Sequence, residues 1–265
     1  MQVVLEEARP LIPEVHNFTD QRAWVDSAAD LICRSVSERI SKTGVCTLAL
    51  AGGKTPQPLY RRLSQSPYLE AISWPATHLF LGDERCVPFE HEESNYGMAT
   101  RHLISQVPIP DQNCHPIPIY AGPSAQIALQ FEEEMKRHFA HLPAQGESLT
   151  KDAQGHFFPV FDLILLGMGR DGHTASLFPG DPALKEKTRW AAFVQKSPRP
   201  PRLPRATLTL PVLRNARLVM FFVSEAEKKD IIPRVLDQTE RLTSSFPAAL
   251  VRPEGKLVWM ILKEE

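Results

Sequence analysis

Phe161-Asp162-Leu163-Ile164-Leu165-Leu166-Gly167-Met168-Gly169-Arg170-Asp171-Gly172-His173-Thr174-Ala175-Ser176-Leu177-Phe178-Pro179 runs from a short apolar segment into a polar loop broken by glycines. Leu163 to Leu166 has the continuous apolar character of a strand buried on both faces. Gly167, Gly169 and Gly172 then permit sharp turns and positive φ without a Cβ clash. Asp171 and His173, an acid and an imidazole two residues apart, are thereby set at the carboxyl end of a strand, where open α/β sheets bind ligands. Taken alone, such a pair is more often structural than catalytic, so its meaning depends on the rest of the chain.

Two other segments repeat the plan of a strand running into a polar loop. Val45 to Ala51 leads into Gly52-Gly53-Lys54-Thr55-Pro56 and a helical pattern through Leu59, Tyr60 and Leu63. Thr55 is placed to cap that helix and Pro56 to be its first residue, an arrangement whose free N–H groups favour an anion. Gly53-Lys54-Thr55 imitates the end of a nucleotide loop, but Leu48 stands where that motif requires its first glycine. Triphosphate binding is thereby rejected, leaving phosphate binding or a plain tight turn. Thr77 to Leu81 forms the third such strand and ends in Gly82-Asp83-Glu84-Arg85, either a pocket lining or an exposed charge cluster. His91, Ser94 and Asn95 follow in the loop before a helix carrying Met98, Leu103 and Ile104, with Ser94 or Asn95 also suited to cap it.

The remaining segments supply the frame. Val3 and Val4 give a thin signal for an edge strand. Trp24, Ala28, Leu31, Ile32, Val36 and Ile40 recur at helical spacing between a cap at Thr19 or Asp20 and a stop at Gly44. Residues 107–123 are proline-rich and predict an extended excursion. A helix with Ile127, Phe131, Met135 and Phe139 follows, with Glu132-Glu133-Glu134 and Lys136-Arg137 assigned to its solvated face. His141 to His156 reads as an exposed loop inserted before the next strand. Trp190 to Val194 suits a strand, Ser197 to Arg205 a stiff basic segment, and Ala206 to Pro211 an extended segment that holds Arg205 in a defined direction. Leu218 to Val223 and Leu257 to Leu262 are apolar strands. Glu225 to Leu236 reads as a helix with Lys228 and Lys229 near its start, against the helix dipole. No internal repeat is visible.

Strands alternating with amphipathic helices predict an α/β fold with a mostly parallel sheet covered by helices on both faces. In such a sheet the loops at 52–55, 82–85 and 167–173 converge at one edge. With 265 residues, 43% hydrophobic and 23% charged, the chain has the composition of an ordinary globular protein. Its 30 basic and 31 acidic side chains give a net charge of -1, which offers no electrostatic argument for nucleic acid or a membrane surface. Cys33, Cys46, Cys86 and Cys114 lack the spacing of a zinc site or a disulfide framework. Neither a targeting peptide nor a bilayer-length apolar run is evident, so a cytoplasmic location is expected.

Leu50-Ala-Gly-Gly-Lys-Thr-Pro56, Gly82-Asp-Glu-Arg-Cys-Val-Pro88 with His91 and Ser94-Asn95, Gly167-Met-Gly-Arg-Asp-Gly-His-Thr-Ala-Ser-Leu-Phe-Pro-Gly180, and Arg205-Ala-Thr-Leu-Thr-Leu-Pro-Val-Leu213 together resemble the 6-phosphogluconolactonase family. The match spans nearly the whole chain in order. It departs at Ala51 and Lys54, where the family commonly shows Ser-Gly-Gly-Ser-Thr-Pro. The resemblance implies a single domain over 1–265, modified Rossmann-like, that hydrolyses a phosphogluconolactone without metal or organic cofactor. The expected partner is that small sugar-phosphate lactone, and the expected state a monomer or weak homo-oligomer.

For such a reaction His173 is the expected general base, with Asp171 orienting it. Arg85 would supply charge to the substrate or oxyanion, and Asp83 would hold Arg85 or a sugar hydroxyl. Gly52, Gly53, Lys54, Thr55 and Arg205, with Lys228, His91 and Asn95, would bind substrate and phosphate. The rival readings are a glucosamine-6-phosphate isomerase/deaminase, which would carry Asp-Glu-Tyr in place of Asp83-Glu84-Arg85, and a non-catalytic sugar-phosphate sensor. The sensor would need a DNA-binding element that the ~20 residues before the first helix cannot hold.

Overall fold

In a computed structural model, residues 12–121, 124–142, 148–237 and 246–263 are described. Strand β1 (Glu14–Phe18), helix α1 (Gln21–Thr43) and strand β2 (Cys46–Leu50) come first. Helices α2 (Gln57–Leu63) and α3 (Tyr68–Ala71) precede β3 (Thr77–Leu81) and β4 (Asp83–Arg85). Helix α4 (Asn95–His102), strand β5 (Cys114–His115) and helix α5 (Ala125–His141) lead to the hairpin strands β6 (Leu149–Lys151) and β7 (Phe157–Pro159). Then come β8 (Leu163–Leu166), β9 (Ala191–Val194), β10 (Arg205–Leu208) and α6 (Leu210–Arg214). Strand β11 (Leu218–Ser224), helices α7 (Ile231–Leu236) and α8 (Pro247–Leu250), and strand β12 (Lys256–Leu262) complete the chain.

Seven strands form the central sheet in the order β1-β12-β11-β8-β2-β3-β5, every pair parallel. The register sets Phe80, Ala49, Ile164 and Val219 side by side on one face, so Phe222 points to the other. Phe139 of α5 lies against Phe80, with ring centroids 5.9 Å apart, while Trp24 of α1 stacks on Phe222 at 3.6 Å. Helices therefore cover both faces, which is why β2 and β8 are buried at every position. Helix α1 begins and ends where its sequence signals it. The Asp20 side chain accepts the Ala23 N–H at 2.7 Å, and Gly44 closes the last turn in the left-handed region with φ +80°.

A second, antiparallel sheet of three strands in the order β4-β10-β9 sits where β3 leaves the main sheet. Arg205 pairs with Arg85, Ala206 with Glu84 and Thr207 with Asp83. Alternation along the strands puts Asp83, Arg85, Arg205 and Thr207 on one face and Glu84 on the opposite one.

Several expectations are corrected by packing. Glu132 is not solvated. It lies on the inner stripe of α5 with Ala128 and Met135, and its carboxylate accepts from Lys136 Nζ (2.5 Å), Arg189 Nε (2.7 Å) and the Trp190 N–H (3.0 Å). Burial alone would raise its pKa, but these donors hold it below the usual carboxylate value. Helix α2 starts at Gln57 after Pro56, with no side-chain cap from Thr55. The pattern from Glu225 breaks into a 3-10 turn at Ala226–Lys228 and the shorter α7. The proline-rich excursion yields β5, which pairs with β3, and the loop inserted after His141 carries β6. The extended segment after Arg205 gives way to α6 at Leu210. Val3 and Val4 lie outside the described residues.

Candidate active site

The loops after β2, β3 and β8 meet at one end of the sheet around a cavity of about 180 Å³. Gly52, Gly53, Lys54, Thr55, Asp83, Arg85, Asn95, His173 and Arg205 all line it. Open parallel sheets place ligands at this edge because the connections diverge beyond the carboxyl ends of the strands.

Beyond β8, the loop bends so tightly that His173 N–H and Nδ1 both meet Asp171 Oδ1, at 3.2 and 2.5 Å. Arg199 Nε reaches the second carboxylate oxygen at 3.2 Å. Burial pushes the Asp171 pKa upward, but the hydrogen bond and charge of His173, together with Arg199, outweigh it and hold the group well below the carboxylate range. Asp171 is therefore an anion that only accepts, so in the neutral imidazole of His173 the proton sits on Nδ1 and the lone pair on Nε2. Of the loop glycines only Gly172 takes positive φ, +75°, which corrects the expectation for Gly167 and Gly169. Gly169 is needed for a different reason. A Cβ there would lie 2.1 Å from the His173 ring.

Across the cavity, the small sheet delivers the cations. Arg205 is 4% exposed, with Nη2 donating to Pro201 O at 3.1 Å and Nη1 standing 4.0 Å from Asp83 Oδ2. Burial lowers its pKa. Arg85 does not pair with Asp83, which overturns the first of the two roles expected for that carboxylate. Its Nη1 donates to the Glu93 carbonyl at 2.6 Å and carboxylate at 3.1 Å, because Glu93 comes back over β4 just before α4. Asp83 instead accepts from Ser176 Oγ at 2.5 Å. Nε of Arg85 and Nε of Arg205 are both buried without a hydrogen-bond partner. Two opposed guanidiniums with unused donors are costly unless an anion completes them.

Asn95 joins the glycine loop to this sheet. Its Nδ2 donates to Asp83 O at 2.9 Å and its Oδ1 accepts the Gly53 N–H at 3.3 Å. A Cβ on Gly52 would fall 2.2 Å from the Asn95 side chain, so the loop can approach only as glycine. Glu84, on the other face of β4, collects N–H groups of Arg85, Asn95 and Tyr96 and the Ser94 hydroxyl at 2.7 to 2.9 Å. Burial raises its pKa against those donors. Glu84 thus fixes α4, and with it Asn95, to β4.

Two residues expected at the site are placed elsewhere. Lys228 does not line the cavity, and its Nζ approaches Ser224 O at 3.3 Å. His91 also lies outside it and accepts the Glu93 N–H through Nδ1 at 3.1 Å, supporting the residue that holds Arg85. Ser176, Glu93 and Arg199 were missed. Only Ser176 had a signal, its position inside the Asp171–Pro179 string.

Residues 19–259 match the family described as glucosamine-6-phosphate isomerases/6-phosphogluconolactonase. The chain is 36% identical over 251 residues to a 6-phosphogluconolactonase of Synechocystis sp., covering 95% of this chain and 96% of that protein. It is 33% identical to a 6-phosphogluconolactonase of Nostoc sp., covering 93% and 94%. The fold is similar to the solved 6-phosphogluconolactonase of Trypanosoma cruzi with a TM-score of 0.81 and 28% identity, over 95% of this chain and 94% of that one.

Proposed function

The chain belongs to the glucosamine-6-phosphate isomerase/6-phosphogluconolactonase family, and from that premise we propose that it hydrolyses 6-phospho-D-glucono-1,5-lactone to 6-phospho-D-gluconate, the second step of the oxidative pentose phosphate pathway. The observation that carries the reading is one cavity with a carboxylate-backed imidazole on one side and two guanidiniums with unused buried donors on the other. The isomerase reading lacks comparable support, since Arg85 stands where a tyrosine would be expected and the relatives described above carry the lactonase name.

In this mechanism His173 Nε2 removes a proton from water as its oxygen attacks the lactone carbonyl carbon. Asp171 holds the ring and stabilises the imidazolium that forms. The oxyanion is stabilised by the donors facing it, Arg85 among them. Collapse breaks the bond to the ring oxygen, which leaves with the proton carried by His173 and becomes the C5 hydroxyl. Arg205 and the amides at Gly52, Gly53 and Lys54 hold the phosphate, so that remote binding positions the reacting ester. Lys54 adds a charge at a loop that lacks the hydroxyls of the usual pattern.

The same reading takes residues 1–265 as one catalytic domain working in the cytoplasm, as a monomer or weak homo-oligomer. Among the described residues no helix is long and apolar enough to cross a membrane. The test is a pH-controlled assay of freshly generated phosphogluconolactone, counting only the rate above spontaneous opening. A large protein-dependent excess is expected. Release of ammonia from glucosamine 6-phosphate without such an excess would overturn the assignment.

A further inference from the structure

His78, His115 and His138 come together on the sheet face covered by α5, away from the catalytic cavity. The register brings this about: His115 of β5 is the partner of Phe80, and His78 lies two residues before Phe80 on the same side of β3. Helix α5 supplies His138 from above, its ring centroid 4.4 Å from that of His78 and 4.6 Å from that of His115. One ring nitrogen from each residue can be chosen so that all three lie within 4.8 Å of one another. His78 Nδ1 and His115 Nε2 are 3.1 Å apart. Gly82 is four residues on from His78, so the cluster is roughly 13 Å down the strand from the site loop.

An aromatic packing cluster explains part of this arrangement, for His115 stacks on Phe80 at 4.2 Å. A hydrogen bond joins His78 Nδ1 to His115 Nε2, but His138 is left over. His138 Nε2 is buried with no hydrogen-bond partner, a desolvated polar atom that packing alone leaves unsatisfied. His115 Nδ1 lies 3.2 Å from Glu134 Oε1, which turns the other nitrogen of that ring toward its neighbours. A carboxylate behind an imidazole is the usual support of a metal-ligating histidine.

We propose that His78 Nδ1, His115 Nε2 and His138 bind one zinc(II) ion, with Glu134 orienting His115. Tetrahedral zinc with imidazole bonds of about 2.0–2.1 Å sets its nitrogens about 3.3 Å apart. The 3.1 Å pair already meets that spacing, and the longest separation exceeds it by at most about 1.5 Å, within reach of a side-chain rotation. Three nitrogen donors select zinc and its neighbours in the transition series over magnesium or calcium, which prefer oxygen. His78 and His138 are only partly buried, so solvent can enter and supply a fourth ligand. The ion would tie α5 to the β3–β5 edge of the sheet. Glu134 and His141 are the other titratable groups of α5 that act on the cluster, and Glu134 is paired in turn with the exposed Arg137 at 3.0 Å.

The test uses the full chain stripped with a chelator and titrated with cobalt(II) as the visible probe, then with zinc(II). One equivalent of cobalt with tetrahedral absorption bands, displaced by zinc, is expected. The signal should vanish in His78→Ala and His138→Ala but persist in His173→Asn. Absorption spectroscopy at the zinc edge of the unaltered chain should find three nitrogens at about 2.0–2.1 Å. Zinc at about 100-fold over its Kd should raise the melting midpoint by roughly 5 °C, and magnesium should not. That wild-type pair of readings decides the matter even where an alanine variant fails to fold. No uptake by the unaltered chain, uptake retained in the folded His138→Ala protein, or loss in His173→Asn would overturn the site.

Discussion

The two ends of the catalytic cavity are built by different means. At the His173 end, acid and imidazole sit two residues apart on one loop and make a 2.5 Å contact with each other. At the Arg205 end, the cations come from strands far apart in sequence, paired only when β10 lies against β4, and their Nε donors remain unused. A finished internal pair is suited to moving a proton, whereas unfinished donors are suited to receiving a ligand's charge. Loss of His173 and loss of Arg205 should therefore show separately, while Arg85, which serves the oxyanion from the cationic side, belongs to the chemistry.

The largest separation is expected from His173→Asn, which removes the base. Its kcat should fall by about 10²- to 10⁴-fold with KM nearly unchanged, measured above the spontaneous rate. Equal turnover in the variant would remove His173 from the chemistry. Gly169→Ala should imitate it while leaving residue 173 a histidine, because a Cβ 2.1 Å from the imidazole must displace it. A kcat loss of about 10²-fold with the global fold intact is the expected result.

At the other end, Arg205→Ala should raise KM for the phosphorylated lactone by about 10- to 100-fold, the worth of hydrogen bonds to a charged group. An unphosphorylated lactone should be nearly unaffected, and equal losses on both would break the distinction. Gly52→Ala, which drives a Cβ into Asn95, should give a KM rise of about 10-fold by loosening the loop amides. Smallest in activity is Glu132→Gln, whose site is the rear support of β9. Glu132 has a depressed pKa, so its ionised pairing contributes stability above the ordinary carboxylate value of about 4 and loses it as pH falls further. The variant should be less stable near neutral pH and show a flatter acid limb in its unfolding midpoint, with kcat little changed.

This asymmetry also explains what could be read from the chain before folding. The strand from Leu163, its glycine loop and the Asp171–His173 pair are local features, and so are the caps of α1. The alternation of apolar strands with helices carried the parallel sheet. Long-range pairing was not legible. Arg85 turned out to be held by Glu93 and Asp83 by Ser176, because the register of β4 against β10 decides which side chains share a face. Glu132 shares the buried stripe of Ala128 and Met135, and the partners that let a charge lie there, Arg189 and the Trp190 N–H, come from 57 and 58 residues away in sequence. The expected helix that would start beside Lys228 is instead a 3-10 turn over Ala226–Lys228, with Glu227 out of helical geometry. The three histidines near α5 have no motif spacing, so only the sheet register could bring them together.

The division of labour is tested most directly by a crystal structure with 6-phosphogluconate bound. The phosphate should lie within hydrogen-bonding distance of Arg205 and the amides of residues 52–54, and the C1 carboxylate should face Nε2 of His173. A phosphate seated at His173, or a carboxylate held at the Arg205 end, would contradict it.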